Sequence, residues 1–286
     1  MTKRPFRFRP VAAALALTFT FIAIPAGAAP LGSVRSIAAA ADGHTWDIVT
    51  DRGAHVQISL PRPDVLHIQA SPTAQLTGPG DKAAPIVVGT PDDAKYVLEQ
   101  HLDHVMLKTT ALALRIDRNP LRFTLYRAGE AAPLWRELQP LDIEAKQAVQ
   151  VLSTEAAERF YGGGQQNGRY EFKGRELAVS YSGGWEEGDR PNPAPFLLSS
   201  KGWAMLRNTW SDGDYDLRGD EQIALQHAEG RFDAYYFVAP DMRGALAGYT
   251  AWTGRARLLP RWALEFGDAD CYNDGDNIKK PGTVPP

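Results

Sequence analysis

A single cysteine, Cys271, stands among the 286 residues of this chain, so no intrachain disulfide can form in any compartment. Stability must come from packing. Histidine is also scarce. His44, His55, His67, His101, His104 and His227 show neither metalloprotease spacing nor a neighbouring Gly-x-Ser-x-Gly elbow, and nucleophilic catalysis by Ser or Cys finds no support. His101 and His104 have helical i, i+3 spacing in a β-rich region and read as ordinary surface histidines. An excess of basic charge is missing too, and so, beyond residue 28, is any segment apolar enough to span a bilayer.

The one long apolar run, Val11 to Ile24, follows Lys3, Arg4, Arg7 and Arg9 and precedes Pro25 and the small residues Ala26-Gly27-Ala28. This is the pattern of a secretory signal peptide cleaved after Ala28, and the run falls short of the ~20 residues a spanning helix needs. Cleavage leaves 258 residues with 27 basic and 34 acidic side chains, a net charge of −7. Such a surface repels phosphate backbones, so nucleic acid is excluded as a partner and a neutral substrate is accommodated. The mature protein is expected outside the cytoplasm, in the periplasm, with no membrane attachment.

With 44% hydrophobic residues the mature length suffices for a sizeable core, and 26 Gly and 21 Pro call for many turns. Short β-rich runs recur: Trp46–Thr50, His55–Leu60, Val65–Gln69, Val105–Lys108, Leu112–Asp117, Phe123–Tyr126 and Val149–Leu152, then Leu177–Tyr181, Phe196–Ser199, Trp203–Arg207, Ile223–Gln226 and Phe232–Val238. Turn signals such as Asp51-Arg52-Gly53 and Asn119-Pro120 separate them. Period-2 alternation in His55–Leu60 and Ala111–Ile116 suits half-buried antiparallel strands, and the regular spacing predicts a mainly β, antiparallel β-sandwich over residues 30–240. One helix follows in the connecting segment 241–260. Asp241 is its N-cap, Ala245, Leu246, Tyr249 and Trp252 form a core-facing stripe, and Gly254 stops it. Residues from Arg261 to Gly267 read as one more strand, and the polar tail from Asn273 to Pro286 cannot order itself.

Four patterns invite chemistry. Gly162-Gly163-Gly164 through Gly168 has the gap of a phosphate loop, but Arg169 and Tyr170 stand where Lys and Ser or Thr are needed, and a tight turn with positive φ accounts for it better. Asp268, Asp270, Asn273, Asp274 and Asp276 fail as a calcium loop, because Tyr272 and Pro281 would take ligand positions. No metal and no cofactor is therefore expected. Asp268 and Asp270 are two apart, so on a strand both carboxylates face one side, either as solvated surface acids or as a site. Between Tyr181 and Pro195 a Gly- and Pro-flanked loop carries Trp185, Asp189 and Arg190. Trp185 either stacks on a sugar, with Asp189 and Arg190 bonding hydroxyls, or caps an edge of the sandwich.

Taken in order, Phe160-Tyr161-Gly162-Gly163-Gly164, Pro195–Trp203, Asp214-Tyr215-Asp216, Gly230–Phe237, Tyr249–Arg255 and Leu259–Leu264 resemble the N-terminal portion of glycoside hydrolase family 31. The resemblance implies a galactose-mutarotase-like sandwich packed on a (β/α)8 barrel, with residues 261–286 as a truncated start of that barrel. It implies a retaining enzyme acting on α-glucosides or α-glucans, an α-linked oligosaccharide as partner, and the barrel as a possible separate chain. It also favours Trp185, Asp189, Arg190, Asp268 and Asp270 as substrate contacts. No catalytic residue is transferred, because both catalytic acids belong to later barrel strands. The other reading is a free-standing carbohydrate-binding β-sandwich.

Overall fold

The computed structural model describes residues 30–77, 86–184, 186–256 and 258–264. Its strands are β1 (Val34–Ala39), β2 (Thr45–Thr50), β3 (His55–Arg62), β4 (Val65–Ser71), β5 (Leu98–Gln100) and β6 (His104–Lys108). Next come β7 (Leu112–Arg118), β8 (Leu121–Arg127), β9 (Pro133–Arg136), β10 (Asp142–Glu144), β11 (Gln147–Ser153) and β12 (Phe160–Gln165). Then follow β13 (Glu176–Val179), β14 (Asn192–Ser199), β15 (Trp203–Arg207), β16 (Gly213–Asp216), β17 (Gln222–His227) and β18 (Phe232–Val238), and the helix α1 (Met242–Thr253).

They form three sheets, and every strand pair in them is antiparallel. The largest has the order β1-β2-β3-β4-β18-β15-β14-β12, and two five-stranded sheets run β10-β11-β17-β16-β13 and β5-β6-β7-β8-β9. One continuous core joins all three. Ile58, Ile68 and Tyr236 of the large sheet share it with Leu114 and Phe123 of one small sheet and Leu152 and Leu225 of the other. Alternation explains the choice of face. In β3 and β7 every second side chain is buried, so one register puts all the apolar residues inward.

Strand β18 departs from alternation because all seven of its residues are buried. It sits at the centre of the large sheet, with the core against one face and α1 against the other. The helix begins where Asp241 accepts a bond from the Gly244 amide at 2.8 Å and ends at Gly254, whose φ is +95°. Its stripe packs as expected for Ala245 and Trp252, and Tyr249 stacks on Phe196 at 4.1 Å, whereas Leu246 is 43% exposed. Trp252 lies flat against Gly89, and its carbonyl accepts from the Val88 and Gly89 amides at 3.1 and 2.9 Å. No room exists there for a Cβ.

Two sequence expectations need correction. Arg261–Leu264 forms a 3-10 turn rather than the start of a strand. A strand's peptide groups need a neighbouring strand to bond, whereas a 3-10 turn closes its bonds locally. Residues 265–286, on which the barrel-start reading rests, lie outside the described residues, as does the signal segment. Second, Gly162, Gly163 and Gly164 do not form a tight turn. They belong to β12, where the pairing with β14 skips between Gly162 and Gly164, and only Asn167-Gly168 turns. Positive φ at all three glycines, as expected, lets the bulge press within reach of the β14 backbone: a Cβ on Gly164 would collide with the Asn192 carbonyl oxygen.

Candidate functional site

The bulged end of β12 and the edge strand β13 bring the edges of two sheets together. Gln166 ties them: its side-chain amide donates to the carbonyls of Gly163 at 2.8 Å and Ala178 at 3.2 Å. Beside this tie opens a cleft of about 380 Å³ whose polar lining includes Asn167, Arg169, Glu176, Arg190 and Asp214. Two cations face two anions there. Glu176 is engaged by Arg218 at 2.9 Å, and Arg169 is exposed.

The loop expected between Tyr181 and Pro195 forms one wall through Gly188 and Arg190, and its last four residues, from Asn192, belong to β14. Ser182 and Arg190 pair across its neck, each amide donating to the other's carbonyl at 3.2 Å. The Arg190 guanidinium donates to the Ser180 carbonyl at 3.0 Å and the Gly188 carbonyl at 3.3 Å, which holds it flat against the neck. Asp189 accepts from the Glu186 amide at 2.9 Å through its side chain and from the Asn167 amide at 2.9 Å through its carbonyl. Asn167 in turn accepts from the Gly188 amide at 3.0 Å. The loop is thus pinned to the Asn167-Gly168 turn. Trp185, at its tip in sequence, lies outside the described residues, as do Asp268 and Asp270. Tyr170 and Tyr181, one residue on from Arg169 and Ser180, are 85% and 72% exposed. They are aromatic surface that residue-type reasoning about the loop passed over. The structure therefore places Arg190 on the cleft, while the Asp189 carboxylate holds the loop's own backbone at the Glu186 amide.

Long-range pairing also builds polar clusters that spacing gave no sign of. Asp233, fully buried, accepts from His67 at 2.7 Å, Gln69 at 2.9 Å, Arg231 at 3.1 Å and Asn208 at 3.2 Å. Burial alone would raise its pKa, but the His67 charge and these bonds outweigh that and hold the carboxyl below its ordinary range. Ser59 lies 3.5 Å from the other nitrogen of His67, so Ser59, His67 and Asp233 mimic a nucleophilic triad. The likeness ends there. The carboxylate is already neutralised by Arg231, and the strand amides around Ser59 belong to the pairing of β3 with β2 and β4, leaving no oxyanion donors.

In the core, His227 takes a bond from the Tyr215 hydroxyl at 2.8 Å and gives one to the Ser211 carbonyl at 3.1 Å. Burial and the Arg207 charge push its pKa down to about 3, so the ring stays neutral. Glu137 accepts from the Phe123 amide and from Gln150, whose oxygen accepts from the Tyr236 hydroxyl. Burial raises its pKa to about 8 against those bonds and the Arg122 charge. Both clusters are sealed structural networks. Among the described residues no group of three or more His, Cys, Asp or Glu is arranged to hold a metal ion.

Among the described residues, three antiparallel sheets around one core, with α1 on the back of the largest, define a galactose-mutarotase-like sandwich. Residues 55–216 match the glycosyl hydrolase 31 N-terminal galactose mutarotase-like domain, more than half of the chain. The chain belongs to that family. It is similar to the isomaltosyltransferase of Sporosarcina globispora, with 22% identity over 80% of this chain and 22% of that protein. An α-xylosidase of Saccharolobus solfataricus is 32% identical over 29% of this chain and 12% of its own length. The fold also matches a dextranase of Flavobacterium johnsoniae, solved with isomaltotriose, at a TM-score of 0.75 and 16% identity over 83% of this chain and 30% of that one. The chain thus covers 12–30% of the length of these three proteins.

Proposed function

We propose that this chain is the sandwich portion of a secreted, periplasmic, retaining family 31 hydrolase acting on α-glucosides or α-glucans, and that its 181–195 loop supplies substrate contacts. The observation that carries the reading is the pinned loop: Arg190 is fixed on a polar cleft of balanced charge and Asp189 braces the loop's backbone beside it, in a chain of a glycosidase family. A neutral, hydroxyl-rich ligand suits such a cleft, because every rim group can bond a hydroxyl while no net field selects an ion. Trp185, and Asp268 and Asp270 further on, are proposed to add a stacking face and further acceptors. Leu258, Leu259 and Trp262, all exposed after α1, favour the catalytic barrel as the partner that this end of the sandwich meets, whether in one chain or two.

No described residue is assigned a catalytic role, so the chain alone is expected to release nothing from aryl α-glucosides or isomalto-oligosaccharides. Turnover above the blank overturns that. Calorimetry with isomaltotriose tests the loop: Arg190→Ala is expected to weaken binding about tenfold, the loss typical of a well-placed contact. Unchanged affinity would remove the loop from the site.

A further inference from the structure

The sheet β5-β6-β7-β8-β9 turns one face to the core and the other outward, and the outward face has an unusual centre. In register across β6, β7 and β8 stand Lys108, Ala113 and Tyr126. Side chains so aligned lie about 5 Å apart, and a small one between two long ones leaves a trough. Met106 borders it, and the turn Ala128–Ala131 closes its far side, giving a groove of about 400 Å³. That is within the roughly 300–1,000 Å³ of small-ligand sites. None of its lining residues belongs to the cleft beneath the 181–195 loop.

The groove is apolar on its floor and charged only at its rim, where the charges cancel in pairs. Lys108 is bonded to Glu99 at 2.6 Å and Arg127 to Glu130 at 2.7 Å. Arg127 is held further by the Ala239 carbonyl at 3.0 Å and the Lys201 carbonyl, so its guanidinium is anchored to the body of the sandwich. A phosphate, a carboxylate or a metal cation would find no net field here. A sugar ring has what the groove offers to meet: an apolar face for the half-buried Tyr126 ring and the Met106 side chain, and hydroxyls for the carboxylates and the Tyr126 hydroxyl.

We infer that this groove is a second carbohydrate-binding site, in which Tyr126 stacks on a glucose unit of an α-glucan and Glu130 and Lys108 bond its hydroxyls. The α-glucan class rests on the proposed function; the location does not. The site would hold polymer to the protein without taking part in cleavage.

Calorimetry of the full chain with maltohexaose, and with isomaltohexaose in parallel, tests it. The wild type is expected to bind two ligands per chain. Tyr126→Ala is expected to remove one of them, or weaken it at least about tenfold. Ala113→Gln, which fills the floor and leaves Tyr126 itself unsubstituted, is expected to do the same, and Tyr126→Phe to retain binding. Thermal melting confirms that each variant folds; should Tyr126→Ala fail to fold, Ala113→Gln decides. Two sites surviving both variants overturn the inference. One site, lost only with Arg190→Ala, overturns it while leaving the proposed loop contact intact. One site, lost only with the groove variants, supports it and removes the loop. No binding by the wild type overturns both.

Discussion

Glu137 gives the sharpest physical test of the sandwich. Its carboxyl is buried in the core, 3% exposed, between the Phe123 amide and the Gln150–Tyr236 pair, and its pKa is raised from 4.5 to about 8. Between those values the unfolded chain has released a proton that the folded chain keeps. The folded state binds more protons, so the Glu137 contribution to stability is fully present below pH 4.5 and is lost as pH rises toward 8. At ~1.4 kcal/mol per pKa unit the loss is about 3 kcal/mol at pH 7 and about 5 kcal/mol once both states are ionised. Glu137→Gln removes the titration. Its amide can accept from Phe123 and, once Gln150 turns over, donate to Gln150, so the cavity stays filled and any fixed offset is independent of pH. The raised carboxyls of Asp142 and Glu229 remain in both proteins and cancel in the comparison. Melting followed by circular dichroism should show the variant gaining on the wild type by roughly 10 °C between pH 5 and 8.5, taking about 2–4 °C per kcal/mol for this chain length. Curves that stay parallel over that range would refute a protonated Glu137.

His227 should shape the acid limb in the opposite sense. Its folded pKa of about 3 lies below the unfolded 6.5, so its contribution is present above pH 6.5 and is lost as pH falls toward 3. His227→Gln should flatten that limb, and an unchanged acid midpoint would show the ring protonated in the fold. Gly164→Ala places a Cβ against the Asn192 carbonyl at a φ of +74° and should cost about 2–3 kcal/mol in urea unfolding. Gly53→Ala, at a φ of +81° with open space around it, should cost at most about 1 kcal/mol, and equal losses would mean that strain rather than contact with β14 decides. Trp252→Ala should cost about 3–5 kcal/mol and speed hydrogen exchange at Val88 and Gly89, whose amides bond the Trp252 carbonyl. Exchange unaltered there would detach residues 86–89 from the helix.

Strands with one dry face announce themselves in sequence, because alternation is a local property. His55–Leu60 and Ala111–Ile116 alternate, and all but Ala111 of these residues fall in strands of the structure. Short edge strands do not. Leu98–Gln100 and Asp142–Glu144 are three residues each, too few to show a period, and they exist because a longer neighbour offers bonds. Gly162–Gly164 was legible as positive φ but not as strand, since a bulge is defined by the partner strand rather than by its own residues. Of the candidate site, Asp189 and Arg190 could be picked out by residue type within a Gly- and Pro-flanked loop. The distant anchor could not: Asn167 lies some twenty residues away and meets the backbone of Gly188 and Asp189 only once the fold brings its turn beside the loop.

The same locality explains why the charged interior was invisible. Asp233 and His67 are separated by 166 residues, and their bond follows from β18 pairing with β4 in the register that sets Tyr235 opposite His67. In sequence, Phe232-Asp233-Ala234-Tyr235-Tyr236-Phe237 reads as an apolar strand with one misplaced acid. A buried unpaired carboxylate would be too costly for such a strand to fold, so the acid itself implied donors. What the strand could not say is which ones. His67 and Gln69 supply them only because the large sheet brings β4 and the start of β18 side by side, and Arg231, two residues before the acid, adds a local one. The register that buries the tyrosines is therefore the one that satisfies the acid, and a one-residue slip would forfeit both at once.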